Sequence, residues 1–147
     1  MPKAIIIYET RKGSTELLAE ALREGMKQSG VEAQLKRISE VNIAKLAGYS
    51  CVVLGSPTYH KDMIQTMKTF LFKLEQANLN GKIGASFGAY GWSGEAVEML
   101  SDTMKHIFGM DILEPKDKLS GTANEFGRGQ HREFGRKIAD KIKEHGK

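Results

Sequence analysis

Three short apolar runs without a charged residue are the feature that most constrains the fold. They are Ala4 to Tyr8, Cys51 to Gly55 and Ile83 to Gly88. Such runs are typical of strands buried on both faces, as in a parallel sheet that helices cover on each side. Val31 to Ile38 is more polar and alternates, which predicts an edge strand, and the weaker run Met110 to Leu113 predicts the opposite edge.

Between these runs, apolar residues recur at helical spacing and predict four helices. A short helical turn is also predicted over Val41 to Leu46. The residues that mark the four helices are Leu17, Leu18, Ala21 and Leu22; Met63, Met67, Phe70, Leu71 and Leu74; Val97, Leu100, Met104, Ile107 and Phe108, closed by Gly109; and Phe126, Gln130, Phe134, Ile138 and Ile142. Strands that alternate with helices predict a three-layer α/β fold. Right-handed crossovers favour a five-stranded parallel sheet of order 2-1-3-4-5.

The length and the charge of the chain limit its class. Its 147 residues fit a single domain over 1–147, because no linker, repeat or low-complexity tract divides them. The 22 Lys and Arg exceed the 18 Asp and Glu by four. In the predicted last helix both signs mix, which is typical of a solvated face, so we expect no nucleic-acid partner. A net positive field does favour an acidic protein partner.

The cysteine content and the hydropathy indicate the compartment. Cys51 is the single cysteine and lies within an apolar run, so we expect a buried thiol and no internal disulfide. No apolar segment approaches the ~20 residues that a membrane span needs, and no signal-peptide core follows Met1 and Pro2. The expected location is therefore cytoplasmic, without a membrane partner.

The loop after the first strand suits a phosphate group. In an open parallel sheet, ligands bind beyond the carboxyl ends of the strands, near the point where strand order reverses. The loop combines hydroxyl groups with a glycine at a predicted helix N-terminus, where free N–H groups attract anions. Its residues are Thr10, Arg11, Lys12, Gly13, Ser14 and Thr15. Two alternatives remain open: the hydroxyls cap their own helix, and Arg11 and Lys12 face solvent instead of pairing with phosphate.

The loops after the third and fourth strands suit a planar ring. Both carry aromatic side chains beyond the strand ends, although such side chains also serve as packing residues. The candidate residues are Ser56, Pro57, Thr58, Tyr59, His60 and Lys61 in one segment, and Phe87, Gly88, Ala89, Tyr90, Gly91, Trp92 and Gly94 in the other. A phosphate at one end and a planar ring at the other is the shape of FMN, whose pyrimidine edge could bond to loop amides.

The same segments resemble those of short-chain flavodoxins, and most closely the flavodoxin module of flavodiiron proteins. The matching residues are Ile6-Ile7-Tyr8, Thr10, Gly13, Thr15, Ala19 and Leu22, then Gly55-Ser56-Pro57-Thr58-Tyr59, then Phe87-Gly88-Ala89-Tyr90-Gly91-Trp92. The resemblance covers essentially the whole chain. It implies a flavodoxin-like fold, bound FMN, and electron transfer between a reductase or low-potential donor and an acceptor protein.

The resemblance to flavodiiron proteins does not extend to their metal chemistry. Those proteins carry a metal-binding domain of the metallo-β-lactamase type, for which 147 residues leave no room. The four histidines, His60, His106, His131 and His145, lack the spacing that binds a metal pair. We therefore expect no metal site.

Two other functions fit the same fold. An FMN-dependent NAD(P)H oxidoreductase acting on quinone or another small acceptor needs a nicotinamide pocket, and the sequence offers no recognisable one. A flavin-free signalling module, as in response regulators, needs clustered acids after the first and third strands, where Glu9 stands alone.

The second loop predicts a redox property. The segment Tyr59 to Asp62 contains no glycine, and a left-handed backbone at His60 or Lys61 would cost about 1 kcal/mol or more. We therefore expect the one-electron-reduced flavin to be less stable here than in relatives with a glycine at this turn.

Overall fold

Five parallel strands form the central sheet of the computed structural model, which describes residues 3–145; Met1, Pro2, Gly146 and Lys147 lie outside the described residues. The strands are β1 (Ala4–Tyr8), β2 (Ala33–Arg37), β3 (Cys51–Gly55), β4 (Ile83–Phe87) and β5 (Asp111–Ile112). Their order is β2-β1-β3-β4-β5, which confirms the predicted 2-1-3-4-5. The carboxyl ends of the interior strands align, since Tyr8 pairs with Gly55 and Gly55 with Phe87.

Four helices cover the sheet on both faces: α1 (Ser14–Gln28), α2 (Gln65–Leu74), α3 (Glu95–His106) and α4 (Glu125–His145). Side chains of a strand alternate between its faces, so Ile6 packs under α1 and α4 while Ile5 and Ile7 pack under α2 and α3. Both faces are apolar, which is why the three interior strands read as continuous apolar runs.

The two helices on the first face approach closely because each carries a glycine at the contact. A Cβ on Gly25 of α1 would lie 1.9 Å from the Arg132 carbonyl oxygen of α4. A Cβ on Gly135 of α4 would lie 2.2 Å from the Leu22 carbonyl oxygen of α1. Larger side chains at these two positions would force the helices apart.

The segment before α2 is a correction to the sequence prediction. Met63 was predicted within this helix, but the helix begins at Gln65, and Met63 pairs with Thr58 in an antiparallel hairpin. The strands of this hairpin are Thr58–Tyr59 and Asp62–Met63. A stripe of apolar residues four apart could not reveal the hairpin, because its two-residue strands are too short for a period.

Three residues of the predicted helix faces lie on the surface. Leu17, Ile107 and Phe126 are 41%, 65% and 69% exposed, respectively. Leu17 and Phe126 lie in the first turns of α1 and α4, and Ile107 follows the end of α3. At helix ends the periodic pattern extends beyond the core. Gly109, predicted to close α3, does adopt a left-handed φ of 67°.

The connection from β2 to β3 contains two 3₁₀ turns, Ile38–Glu40 and Ile43–Gly48, so the predicted turn near Val41 to Leu46 is present in the second of them. Cys51 is fully buried, and burial raises the pKa of its thiol to about 12. Within residues 3–145 no helix is both long enough and apolar enough to cross a membrane.

Candidate functional site

The loop after β1 leads into α1 and leaves the first helical N–H groups without a side-chain cap. Gly13 is the N-cap residue, with a left-handed φ of 93°, and no side chain accepts there. Thr10 Oγ1 accepts from the Gly13 N–H at 2.9 Å, so this hydroxyl shapes the turn instead of capping the helix. The first turn of α1, beginning at Ser14, therefore presents free donors and the positive end of the helix dipole.

Hydrogen bonds from the strands fix this loop. The Tyr8 hydroxyl donates to the Glu16 carboxylate; burial and then this bond raise the pKa of Tyr8. The Glu9 carboxylate accepts from Arg37 Nη2 at 2.6 Å and from the Thr10 N–H at 3.0 Å. Burial alone would raise the pKa of Glu9, but these hydrogen bonds outweigh burial and lower it. Glu9 is therefore ionised near neutral pH and holds the loop to β2.

Backbone hydrogen bonds join the loops at the carboxyl edge into one wall. The pairs are Glu9 N–H to Gly55 O at 3.0 Å, Ser56 N–H to Phe87 O at 3.2 Å, Thr58 N–H to Ala89 O at 3.0 Å and Tyr90 N–H to Gly121 O at 2.9 Å. Thr15 adds a side-chain link, since its Oγ1 accepts from the Ala89 N–H at 3.4 Å. Gly88 permits this approach, because a Cβ there would lie 1.9 Å from the Ser56 carbonyl oxygen.

The second loop is the hairpin from Thr58 to Met63, and its turn is strained. His60 and Lys61 adopt φ angles of 51° and 63°, left-handed values that cost a non-glycine residue roughly 1–2 kcal/mol. Positive φ at both central residues is what a type I′ turn requires. Thr58 Oγ1 accepts from the Ala96 N–H at 3.1 Å and thereby ties the hairpin to α3.

Two aromatic rings of the site form cation–π contacts with basic side chains. The Arg11 guanidinium lies 4.6 Å from the centre of the Tyr59 ring, and Lys118 Nζ lies 5.2 Å from that of Tyr90. Arg11 and Lys12 are both exposed. Tyr59 is only partly buried, so part of its ring surface is open to a planar ligand beside Arg11.

The Tyr90 ring packs against other residues of the protein, whereas the Trp92 ring is exposed. A Cβ on Gly94 or Gly121 would lie within 3.0 Å of the Tyr90 ring, and the Tyr90 hydroxyl donates to the Leu119 carbonyl at 2.5 Å. Trp92, in contrast, is 94% exposed. A tryptophan with so little protein contact has its apolar surface available for a ligand.

A cleft of about 310 Å³ brings the loops together, at the lower end of the roughly 300–1,000 Å³ typical of small-ligand sites. The predicted residues that line it are Thr10, Lys12, Ser14, Thr15, Pro57, Thr58, Tyr59, Ala89, Tyr90 and Gly91. Gly91 leaves open space, since a Cβ there would meet nothing within 4 Å.

The other predicted residues lie around or beneath this cleft. Arg11, Gly13, His60, Lys61 and Trp92 belong to the loops that surround it. Ser56, Phe87, Gly88 and Gly94 are buried. Phe87 packs across Gly55, where a Cβ would lie 2.2 Å from its ring, and Ser56 Oγ donates to the Pro57 carbonyl at 3.0 Å.

One part of the site was missed by the sequence analysis. The loop after β5 contributes Gly121, Thr122 and Ala123 to the cleft. The topology could have indicated this loop, because it also follows the carboxyl end of a strand. Its small residues carry no aromatic ring or glycine cluster that would single it out.

The family model for flavodoxin matches residues 6–134. The chain belongs to the flavodoxin family. Flavodoxins are electron-transfer flavoproteins, and a cleft at the carboxyl edge between the loops after β1, β3 and β4 is where this sheet order places a flavin. The uncapped first turn of α1, the open space at Gly91 and the exposed Trp92 ring fit a ligand with an anionic tail and a planar ring.

Individual relatives agree with this assignment. The flavodoxin of Maridesulfovibrio salexigens is 29% identical over an alignment of 150 residues that covers 97% of this flavodoxin and 100% of that protein. A solved archaeal flavodoxin has 32% identity and a TM-score of 0.89, and the likeness covers 96% of this chain and 99% of the other. The nitric oxide reductase of Moorella thermoacetica is 33% identical over an alignment of 144 residues that covers 95% of this chain.

Several curated relatives are longer than this flavodoxin. The chain spans 36% of the Moorella protein and 33% of a type A flavoprotein of Rhodobacter capsulatus. The described part of the flavodoxin, residues 3–145, contains no group of three His, Cys, Asp or Glu side chains that could hold a metal ion.

Proposed function

We propose that this flavodoxin binds FMN as one domain over residues 1–147 and carries electrons between redox proteins. The observation that carries the proposal is the pairing, at one sheet edge, of an uncapped helix N-terminus with accessible aromatic rings. The first turn of α1 offers donors to a phosphate, and Tyr59 and Trp92 offer faces to a ring. Members of the family commonly use FMN, whose two ends match these two features.

The phosphate end is formed by the first loop. The first-turn N–H groups of α1 and the hydroxyls of Thr10, Ser14 and Thr15 donate to phosphate oxygens, and Lys12 adds charge from the cleft wall. Gly13 keeps the backbone in the left-handed conformation that turns these donors toward the ligand.

The ring end is formed by the other loops. Tyr59 and Trp92 pack against the ring, and Gly91 brings a backbone amide to its polar edge. When bound, FMN supplies one- and two-electron redox chemistry, and the protein sets its potential. The exposed His60 and Lys61 turn places positive charge near the cleft, which stabilises a negatively charged reduced ring and raises the midpoint potential.

The partners of an electron carrier are other redox proteins. A reductase or low-potential donor delivers electrons, and an acceptor protein removes them. This role needs no acid, base or nucleophile from the chain. It differs from that of an NAD(P)H oxidoreductase in one property: reduction requires a separate donor protein.

Reconstitution tests this function. Purified protein is titrated with FMN under visible absorbance, and the loaded protein is then mixed anaerobically with NADPH, with and without a flavodoxin reductase. We expect a bound-flavin spectrum and bleaching only when the reductase is present. Protein that ignores FMN would overturn the proposal, and rapid bleaching by NADPH alone would show an oxidoreductase instead of a carrier.

A further inference from the structure

Positive side chains surround the cleft and its neighbouring loops. Arg11 lies on the Tyr59 face at 4.6 Å, and Lys118 lies on the Tyr90 face at 5.2 Å. Lys12 lines the cleft, and Lys61 projects from the exposed hairpin turn. We call these four residues, Arg11, Lys12, Lys61 and Lys118, the basic rim.

Acids of the neighbouring loops are mostly neutralised by cations outside the rim. The Glu9 carboxylate is 2.6 Å from Arg37 Nη2, and Asp62 forms an ion pair with Lys68. Glu125, at the start of α4, is 2.5 Å from Arg132 Nη2. Among residues 3–145, no carboxylate lies within 4 Å of the charged nitrogens of the basic rim.

Some negative charge does face the rim. Glu95 stands at the start of α3, where a hydrogen bond from Ser93, helped by the charges of Lys61 and Lys118, lowers the pKa of its carboxyl. Glu98, Asp102 and Glu114 line a separate cavity of about 430 Å³ beyond Tyr90, which Lys118 also borders. Apart from Glu95, these acids line that cavity and not the cleft.

The phosphate of a bound FMN does not cancel this charge. It is met by the first-turn amides of α1 and by Lys12, at the other end of the cleft. Arg11 and Lys61 then remain beside the ring, where an electron must enter or leave. Like charges held near a transfer site repel a basic protein and orient an acidic one.

We propose that the basic rim docks an acidic electron-transfer protein against the ring end of the cleft. The proposal rests on the proposed function, because the surface matters only if a redox group lies behind it. An exposed aromatic ring, Phe126, adds apolar area three residues after the cleft-lining Ala123. Exposed aromatic residues and arginine are enriched at protein interfaces.

Binding of an acidic probe tests the surface. The probe is oxidised plant-type [2Fe–2S] ferredoxin, titrated by calorimetry into FMN-loaded protein at low and high salt. We expect the affinity to fall as salt rises. The double variant Arg11→Glu/Lys61→Glu should bind about tenfold more weakly at low salt, because two attractive charges become repulsive. Each variant is used at saturating FMN, so that a change in flavin affinity does not enter the comparison.

A matched control separates the surface from net charge. Lys73→Glu/Lys105→Glu makes the same charge change in the last turns of α2 and α3, at the opposite sheet edge. We expect it to weaken ferredoxin binding less than about twofold. Equal losses in the two double variants would overturn the proposal, as would affinity without salt dependence or tighter binding of basic cytochrome c.

A second readout follows the electron itself. Reduced ferredoxin loses one electron from its cluster, and the FMN-loaded protein gains it, so a stopped-flow rate reports productive docking. This rate should follow the binding losses of the two double variants. Wild-type protein that fails to take up FMN would overturn the proposed function, whereas FMN-loaded protein that ignores these charges would overturn only the docking surface.

Discussion

The two loops that face each other across the cleft hold their backbones in different ways. In the phosphate loop, Thr10 to Thr15, the left-handed position is a glycine, Gly13, with open space around it. In the hairpin, the left-handed positions are His60 and Lys61, and both carry side chains. The phosphate end of the site is therefore relaxed, and the ring end stores strain. Strain of this kind collects at functional sites, where the surrounding structure holds it.

The largest expected effect comes from the contact that joins the loops after β3 and β4. Gly88→Ala places a Cβ 1.9 Å from the Ser56 carbonyl oxygen, where backbone cannot yield cheaply. We expect a loss of about 2–3 kcal/mol in the free energy of unfolding and a strong loss of FMN affinity. Urea unfolding and FMN titration measure the two.

Gly91→Ala is the matched control for this substitution. It adds the same methyl group in the next loop turn, where nothing lies within 4 Å. Stability should change by less than about 0.5 kcal/mol. Similar destabilisation by the two substitutions would contradict the close approach of the Ser56 and Gly88 backbones.

Replacing Gly13 should introduce backbone strain into the phosphate loop. Gly13→Ala meets no steric contact, but a left-handed alanine costs roughly 1–2 kcal/mol. We expect unfolding to become easier by that amount and FMN affinity to fall, because the first-turn donors shift. Riboflavin, which lacks the phosphate, serves as the control ligand and should bind the variant as it binds wild type. Equal losses for both ligands would place the phosphate elsewhere.

Substitutions in the strained hairpin turn should stabilise the protein, whereas substitution of Gly13 should destabilise it. The double variant His60→Asn/Lys61→Gly introduces the residues that a type I′ turn prefers, so it should stabilise the protein by about 1 kcal/mol. Glycine also frees the turn to rearrange, and spectroelectrochemical titration should show the one-electron-reduced state becoming more stable than in wild type. If neither stability nor the two one-electron potentials change, the turn is not the strained element.

The smallest effect concerns the tether of the phosphate loop. The folded pKa of Glu9 lies below its ordinary value of 4.5, so its ion pair stabilises the protein above that pH and is lost as pH falls through the lower folded value. Because the Arg37 side chain is 45% exposed, the contribution is about 0.5 kcal/mol. The Glu9→Gln variant should lack this decrease in the free energy of unfolding at acid pH, as unfolding at several pH values can show. The Glu75→Gln variant, which is altered far from the cleft, should keep it.

Much of the fold could be predicted because burial on both faces leaves a simple signature. The runs Ala4 to Tyr8 and Cys51 to Gly55 contain no charge, and each became an interior strand. The hairpin could not be predicted, since Thr58 pairs with Met63 over too few residues to repeat a pattern. Phe126 was placed in the core by spacing alone, but it precedes the point where α4 meets the sheet.

The site was predictable where topology and residue type agree. Loops after three interior strands must meet at one edge, so Thr15, Thr58 and Ala89 could be placed together. The sequence could not distinguish the packed ring of Tyr90 from the free ring of Trp92. That difference depends on Gly94 and Gly121, which lie far apart in sequence from one another and close to Tyr90 in space.

In the proposed complex, one cleft receives a phosphate at Gly13 and a ring at Tyr59 and Trp92. Trp92 is the only tryptophan and is 94% exposed, so its emission reports ring binding without a label. The most direct measurement is a fluorescence titration of flavin-free protein with FMN and, separately, with riboflavin. We expect both ligands to quench Trp92, with FMN acting at a far lower concentration because only FMN has the phosphate. Identical titration curves, or no quenching by FMN, would contradict a single cleft that binds both the phosphate and the ring.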